Sequence, residues 1–303
     1  MDNPLVGRDL ISIADLSKHE IESILSTAEK FLRDPPPPFL KKSILASCFF
    51  EPSTRTRLSF ESAMLRLGGA NIGFSDMATT SMKKNETLFD TMKVIGSYAD
   101  VIVIRHPQEG SAGVAASAVK IPVINAGDGA NQHPTQTLID LFSIQQVQGK
   151  IDHLQIALAG DLKYGRTAHS LILALADYPV HLHLIAEERL SLPVSMIEEL
   201  KKKGVAFSFH GSIEEILPEV DVLYMTRIQK ERFAETDVPF QNGCILKLSH
   251  LKGAKKNLQI LHPLPRDIEI EEGIDASPHA YYFQQAANGI PVRMALLSLL
   301  LNK

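Results

Sequence analysis

Ile44-Leu45-Ala46-Ser47-Cys48-Phe49-Phe50, followed by Glu51-Pro52-Ser53-Thr54-Arg55-Thr56-Arg57, sets the plan of this chain. The apolar run reads as a buried strand, Pro52 ends it, and the hydroxyl residues open a helix expected over 54–67 and closed by Gly68-Gly69. Strand, polar turn and helix in that order are the building unit of an α/β sheet. The turn also carries chemistry. Three hydroxyls and the guanidiniums of Arg55 and Arg57 fall within five residues, where a helix leaves its first N–H groups without partners. Fixed donors, the positive helix end and planar arginine forks together suit a phosphate. The other reading is that Ser53 or Thr54 caps the helix and both arginines face water.

Outward from this stretch the rhythm repeats. Upstream, Ile21, Ile24, Leu25, Ala28 and Leu32 recur at helical spacing over 19–33, and Asp34 with the prolines 35–38 ends that helix. In the helix over 54–67 the apolar residues are Leu58, Met64, Leu65 and Leu67. Downstream, a strand is expected at 71–76, a polar loop at 77–85 and a helix at 87–98. The run 101–104 reads as a buried parallel strand that delivers Arg105-His106-Pro107 at its carboxyl end. Another strand, 122–125, leads through Gly127-Asp128-Gly129 to His133-Pro134-Thr135-Gln136 and a helix over 137–145.

The pattern pauses at 147–150, which marks a domain boundary, and restarts with strand 155–159, the turn Gly160-Asp161-Leu162-Lys163-Tyr164-Gly165-Arg166-Thr167 and a helix through Ala176. Further strands are expected at 181–185, 206–209, 222–226, 245–248 and 259–261, and helices at 196–203 and 213–217. A polar segment, expected to be mobile, follows Arg227, and His262-Pro263-Leu264-Pro265-Arg266 follows the last strand. A final helix near Pro291 carries Met294, Leu297, Leu300 and Leu301, an apolar face that needs a core. Alternating strands and helices imply an α/β fold whose ligands gather beyond the strand carboxyl ends.

Length and composition bound the rest. At 303 residues the chain suggests two domains. With 31 basic and 35 acidic residues its formal charge is −4, which argues against a general nucleic-acid surface and for small partners. Cys48 and Cys244 sit in apolar surroundings without pairing or metal-ligand spacing, so neither a disulfide framework nor a metal site is expected, and a reducing cytosol fits. The N-terminus lacks a signal-peptide core, and the apolar run Met294–Leu301 is too short to span a bilayer.

Each remaining motif has two readings. Proline holds His106, His133 and His262 extended at strand or helix junctions, where a histidine serves either a site or the fold. Gly160 to Thr167 copies the spacing of a nucleotide-binding Walker loop with Arg166 in place of lysine, yet Asp221 begins its strand rather than ending it near a magnesium site. Arg166 and Arg227 would hold a dicarboxylate if they converge, and are otherwise solvated turn residues.

Taken together, Phe50–Arg57, Arg105–Pro107, His133–Gln136, Gly160–Thr167, Arg227-Ile228-Gln229 and His262–Arg266 resemble, in order and spacing, the catalytic chain of the aspartate carbamoyltransferase family. The resemblance covers nearly the whole chain, down to Tyr281–Gly289. It implies two domains, each with a mainly parallel sheet flanked by helices: a carbamoyl-phosphate domain of residues 1–133 completed by the C-terminal helix 288–303, and an aspartate domain of residues 149–287. It implies transfer of the carbamoyl group of carbamoyl phosphate to the amino group of L-aspartate, giving N-carbamoyl-L-aspartate and phosphate, an early step of pyrimidine biosynthesis in the cytoplasm. No cofactor and no metal are called for.

By the same resemblance Ser53, Thr54, Arg55 and Thr56 hold the phosphate, while Thr56, Arg105 and His133 reach the carbonyl oxygen. Gln136 binds the carbamoyl nitrogen, helped by the Leu264-Pro265 backbone, and Arg166, Arg227 and Gln229 hold the carboxylates of aspartate. Ser81 and Lys84 are expected to enter a neighbouring subunit's site in a homotrimer with shared active sites, Lys84 toward aspartate, with Lys83 as the alternative. Regulatory chains stay open; nucleic acid and membrane are not expected. The ornithine-type enzymes differ by a cysteine in the last motif, where this chain has Leu264. An ornithine-type enzyme, a nucleotide-binding ATPase and a non-catalytic anion-binding scaffold are the rival readings.

Overall fold

Two parallel sheets organise the chain in a computed structural model that describes residues 4–229 and 244–301. Residues 230–243, most of the polar segment after Arg227, lie outside the described residues, as do residues 1–3 and residues 302–303, the end of the helix expected over 288–303. By its contacts the chain separates into one unit of Met1–Phe142 with Asn288–Lys303 and a second of Ser143–Ala287.

In the first unit β1 (Ile44–Phe49), β2 (Ala70–Phe74), β3 (Val101–His106) and β4 (Val123–Asp128) are parallel, in the order β2-β1-β3-β4. In the second, β5 (Gln155–Ala159), β6 (His181–Ile185), β7 (Ala206–His210), β8 (Val222–Met225) and β9 (Gln259–Leu261) run parallel in the order β7-β6-β5-β8-β9. The helices are α1 (Lys18–Arg33), α2 (Thr54–Arg66), α3 (Leu88–Ile95), α4 (Ser111–Ala118), α5 (Pro134–Gln148), α6 (Arg166–Leu175), α7 (Val194–Lys202), α8 (Tyr282–Ala287) and α9 (Gly289–Leu301). The division between the units falls within α5.

Strand alternation explains the layers of the first unit. Ala46, Cys48, Ile102 and Ile104, two residues apart along β1 and β3, cluster with Met92 of α3 and with Ala112, Ala115 and Ala118 of α4. On α1, a capping box between Ser17 and Glu20 satisfies the first turn, and Ile21, Ile24, Leu25 and Ala28 are buried. Helix α9 packs on α1 and α2 and is buried nearly all round, so the apolar face of the last helix finds its core in this unit. In the second unit Ala157, Ala159, Leu223 and Met225 share a core with Ile213, Ile216, Leu217, Ile260 and Tyr282.

Several local expectations change. Helix α4 was not anticipated: its sequence is Ala-, Ser- and Gly-rich, and its buried face consists of small alanines that give no apolar stripe. Helix α5 runs from Pro134 to Gln148, longer at both ends than 137–145. Residues 213–217 form only hydrogen-bonded turns, with Leu217 N–H reaching Ile213 at 3.1 Å before Pro218 stops the run. The strand expected at 245–248 is a single bridge, Leu246 to Ile270. The loop 77–85 holds two 3-10 turns, Met77–Thr79 and Ser81–Lys84, the first started by Asp76 accepting from Ala78 N–H and the second ended by Asn85 at φ 67. Leu58 and Leu65 are exposed, because Thr56, Phe60, Ala63 and Met64 make the buried face of α2, and Leu32 of α1 is exposed as well. Helix α8 was also missed, and α9 begins at Gly289, which places Pro291 within its first turn.

Close approach at one glycine joins β5 to β8. Gly160 adopts φ +118, and a Cβ there would stand 2.2 Å from the carbonyl oxygen of Thr226. Gly204, at φ +69, has open space around it. Gly160→Ala should therefore cost about 3 kcal/mol or more and Gly204→Ala about 1 kcal/mol in urea unfolding. Equal losses would contradict the close approach.

Candidate active site

A parallel sheet whose strand order reverses leaves a crevice at the reversal, beyond the carboxyl ends. In the first unit that point lies between β1 and β3, and Phe49 pairs with Arg105 across it. The turn 50–53 leaves β1 there, with Phe50 N–H donating to the Arg105 carbonyl at 2.8 Å.

Ser53 is the N-cap residue of α2, extended at φ −158 and ψ 93, and its side chain makes no capping hydrogen bond. Thr56 is buried, whereas Thr54 and Arg55 are exposed. The plain capping reading requires the Ser53 hydroxyl to accept from the first turn, as Ser17 does on α1. It does not.

Charge sharpens the contrast. The Arg55 guanidinium lies below its ordinary pKa, through desolvation first and then the positive charge of Arg105. Two guanidiniums close enough to repel each other at the positive end of a helix make a site that an anion relieves. Arg57 does not join them: its Nε pairs with Glu61 at 2.8 Å, one turn along α2, so the second fork expected from the sequence belongs to the helix surface. Arg105 Nε is instead 2.7 Å from Glu51. Glu51 escaped notice in the sequence, although it stands inside the quoted stretch, because nothing there shows that β3 delivers Arg105 beside it.

The third strand end brings His133. Asp128, at the end of β4, is buried and accepts from Gly110 N–H at 2.9 Å, Asn125 Nδ2 at 2.8 Å and Gln132 N–H at 3.1 Å. That cage fixes the turn before buried His133 at the start of α5. Gln136 donates its Nε2 to Asp140 at 2.7 Å, which orients its carbonyl oxygen as the group left to accept from an NH₂.

The other His-Pro pairs share a local lock. His106 Nδ1 accepts from Gln108 N–H at 3.0 Å, and His262 Nδ1 accepts from Leu264 N–H at 2.8 Å. Each ring thereby ties down the turn after its own strand. Desolvation, opposed by Glu51 and nearby groups, holds the His106 pKa below its ordinary value. His262 Nε2 lies 2.8 Å from Glu269; burial raises the Glu269 pKa, but its bonds to His262 and backbone N–H groups outweigh this and lower it overall. The Leu264-Pro265 bond that follows is cis, with Leu264 at φ 52.

In the second unit the reversal lies between β5 and β8. Asp161, fully buried, ties the two exits together: its N–H donates to Thr226 Oγ1 at 2.9 Å, and its carboxylate accepts from Gln229 N–H at 3.1 Å. The same carboxylate takes Lys163 N–H at 3.1 Å and Tyr164 N–H at 2.9 Å. Those are donors a Walker loop would offer to phosphates, so the nucleotide reading loses its cradle. Arg166 begins α6 and is 9% exposed; Arg227 and Gln229 leave β8, the strand beside β5, and Gln229 Nε2 donates to the Tyr164 carbonyl at 2.8 Å. Ser81, Lys83 and Lys84 are exposed on the second 3-10 turn of the first unit. Among the described residues, no cluster of three or more His, Cys, Asp or Glu is placed to hold a metal, and no helix is long and apolar enough to cross a membrane. Cys48 and Cys244 are free thiols, pushed up by burial to about 12 and about 11.

Comparison with known proteins agrees with the two-sheet fold. Residues 8–146 match the family described as aspartate/ornithine carbamoyltransferase, carbamoyl-P binding domain, and residues 152–300 match its Asp/Orn binding domain. The catalytic subunit of M. jannaschii aspartate transcarbamoylase is similar at 47% identity and a TM-score of 0.88, over 96% of this chain and 97% of that one. Aspartate transcarbamoylase from Trypanosoma cruzi in complex with carbamoyl phosphate is similar at 36% identity and a TM-score of 0.92, over 98% and 97%. The T. cruzi structure in complex with carbamoyl aspartate and phosphate has 35% identity and a TM-score of 0.91, over 99% and 98%. With both domain families matched along its length, the chain belongs to the aspartate/ornithine carbamoyltransferase family.

Proposed function

We propose that this protein transfers the carbamoyl group of carbamoyl phosphate to the amino group of L-aspartate, releasing phosphate. The observation that carries the reading is the first turn of α2, where the Ser53 hydroxyl is not spent on capping and Arg55 feels the charge of Arg105. Ser53, Thr54, Arg55 and Thr56 hold the phosphate. Thr56, Arg105 and His133 donate to the carbonyl oxygen, and Gln136 accepts from the carbamoyl nitrogen with help from the Leu264-Pro265 backbone. Arg166, Arg227 and Gln229 hold the two carboxylates of aspartate, with Lys84.

Attack of the amine on the carbamoyl carbon builds negative charge on the carbonyl oxygen and then on the departing phosphate. Donors fixed in advance around both supply electrostatic stabilisation, and holding the amine against the carbon supplies proximity. His133 acts as a donor to the oxyanion, and the leaving phosphate takes the amine proton. No covalent intermediate is required.

The working assembly in this reading is a homotrimer with shared active sites, Ser81 and Lys84 entering the neighbouring subunit's site.

Incubation with carbamoyl phosphate and either aspartate or ornithine should yield carbamoylated product with aspartate alone; product with ornithine would overturn the choice of acceptor. Arg55→Ala should lower turnover roughly 100-fold or more without loss of fold, and His133→Ala should lower kcat by about 100- to 1,000-fold. Near-normal rates in either variant would remove the role given to that residue. Native mass measurement should give three chains, and a monomer with full activity would contradict the shared site.

A further inference from the structure

Helix α9 carries a single charge, sunk inside it. Arg293 is 3% exposed, and its guanidinium lies 4.7 Å over the ring of Phe60. Burial pushes its pKa down to about 9, still charged at neutral pH, and the negative charge of Asp140 opposes that shift. Gly289 leaves the volume this requires: a Cβ there would stand 2.7 Å from Arg293 Nη1.

Such a buried charge is costly to desolvate. Its position shows another use. Asp140, fully buried, accepts the Nε2 of Gln136 at 2.7 Å. Arg293 Nη1 donates to the Ser59 hydroxyl, which faces the carbonyl oxygens of Arg55 at 2.5 Å and Thr56 at 3.0 Å. Hydrogen bonds therefore run from Arg293 on α9 to the backbone of the first turn of α2, and Asp140, which orients Gln136 on α5, acts on Arg293 through its charge.

We propose that Arg293 and Ser59 are positioning residues that tie the first turn of α2 to the C-terminal helix, so that the phosphate donors keep one fixed separation from the reader of the carbamoyl nitrogen. The inference rests on the carbamoyl phosphate reading above. Small errors in such a separation are expensive, because the reacting groups must be held in a near-attack arrangement. The C-terminal helix then contributes to the site without touching substrate.

The test is steady-state kinetics on the full chain. Absence of carbamoyl transfer by the unsubstituted protein would remove the functional reading itself; with transfer present, the variants test the linkage alone. Ser59→Ala should lower kcat/KM for carbamoyl phosphate about tenfold without a matching fall in thermal midpoint, and Ser59→Thr, which keeps the hydroxyl, should restore it. Arg293→Lys, which keeps the charge and loses the fork, should cause a similar loss, and the double variant should be no worse than the poorer single one, because the link is already broken. Should Arg293→Lys fail to fold, the Ser59→Ala and Ser59→Thr pair alone decides the matter. Losses that multiply, or a Ser59→Ala protein within about twofold of the unsubstituted one, would overturn the proposal.

Discussion

Where a parallel sheet changes its direction of winding, the connections leaving two adjacent strands diverge and leave the crevice between them uncovered. Each unit of this protein has one such reversal, between β1 and β3 in the first and between β5 and β8 in the second. The residues that carry the proposed chemistry leave from those strand ends: Ser53 to Thr56 after β1, Arg105 at the end of β3, Arg166 after β5, and Arg227 and Gln229 after β8. Function here follows from winding order before it follows from any single side chain.

Buried carboxylates make those exits rigid. Asp128, Asp161 and Glu269 each accept from backbone N–H groups of the turn they stand in, and so absorb donors that would otherwise need water or a ligand. The first turn of α2 is treated differently: its capping side chain makes no such bond, and its Arg55 feels the positive charge of Arg105. A turn with donors kept in reserve is suited to a phosphate that arrives and leaves. A turn closed by its own carboxylate is suited to holding shape.

How much of this could be read from the sequence depends on whether the signal was local. Most strands were legible because continuous apolar runs ended in polar turns, and the Ser53-Thr54-Arg55-Thr56 motif stood out because it crowds hydroxyls and guanidiniums at one helix start. Helix α4 was not legible, since its buried face is made of alanines that carry no amphipathic contrast. The buried face of α2 was misread for a related reason: Leu58 and Leu65 are apolar, yet they point away from Phe60, Ala63 and Met64, and only packing decides which face is inside. Glu51 beside Arg105, and Ser59 with Arg293, are pairings across long sequence separations that no spacing announces. Arg57 shows the converse, since a residue that looked like a ligand fork is taken by a neighbour one turn away.

The central claim is that the Ser53 hydroxyl is held for a phosphate and not for its own helix. Calorimetric titration of carbamoyl phosphate into the full chain and into Ser53→Ala, with urea unfolding of both, separates the two uses. A phosphate ligand predicts affinity weakened about tenfold or more with stability nearly unchanged, because no capping bond is lost. Unchanged affinity with a loss of about 1 kcal/mol in stability, the mark of a removed helix cap, would contradict the account.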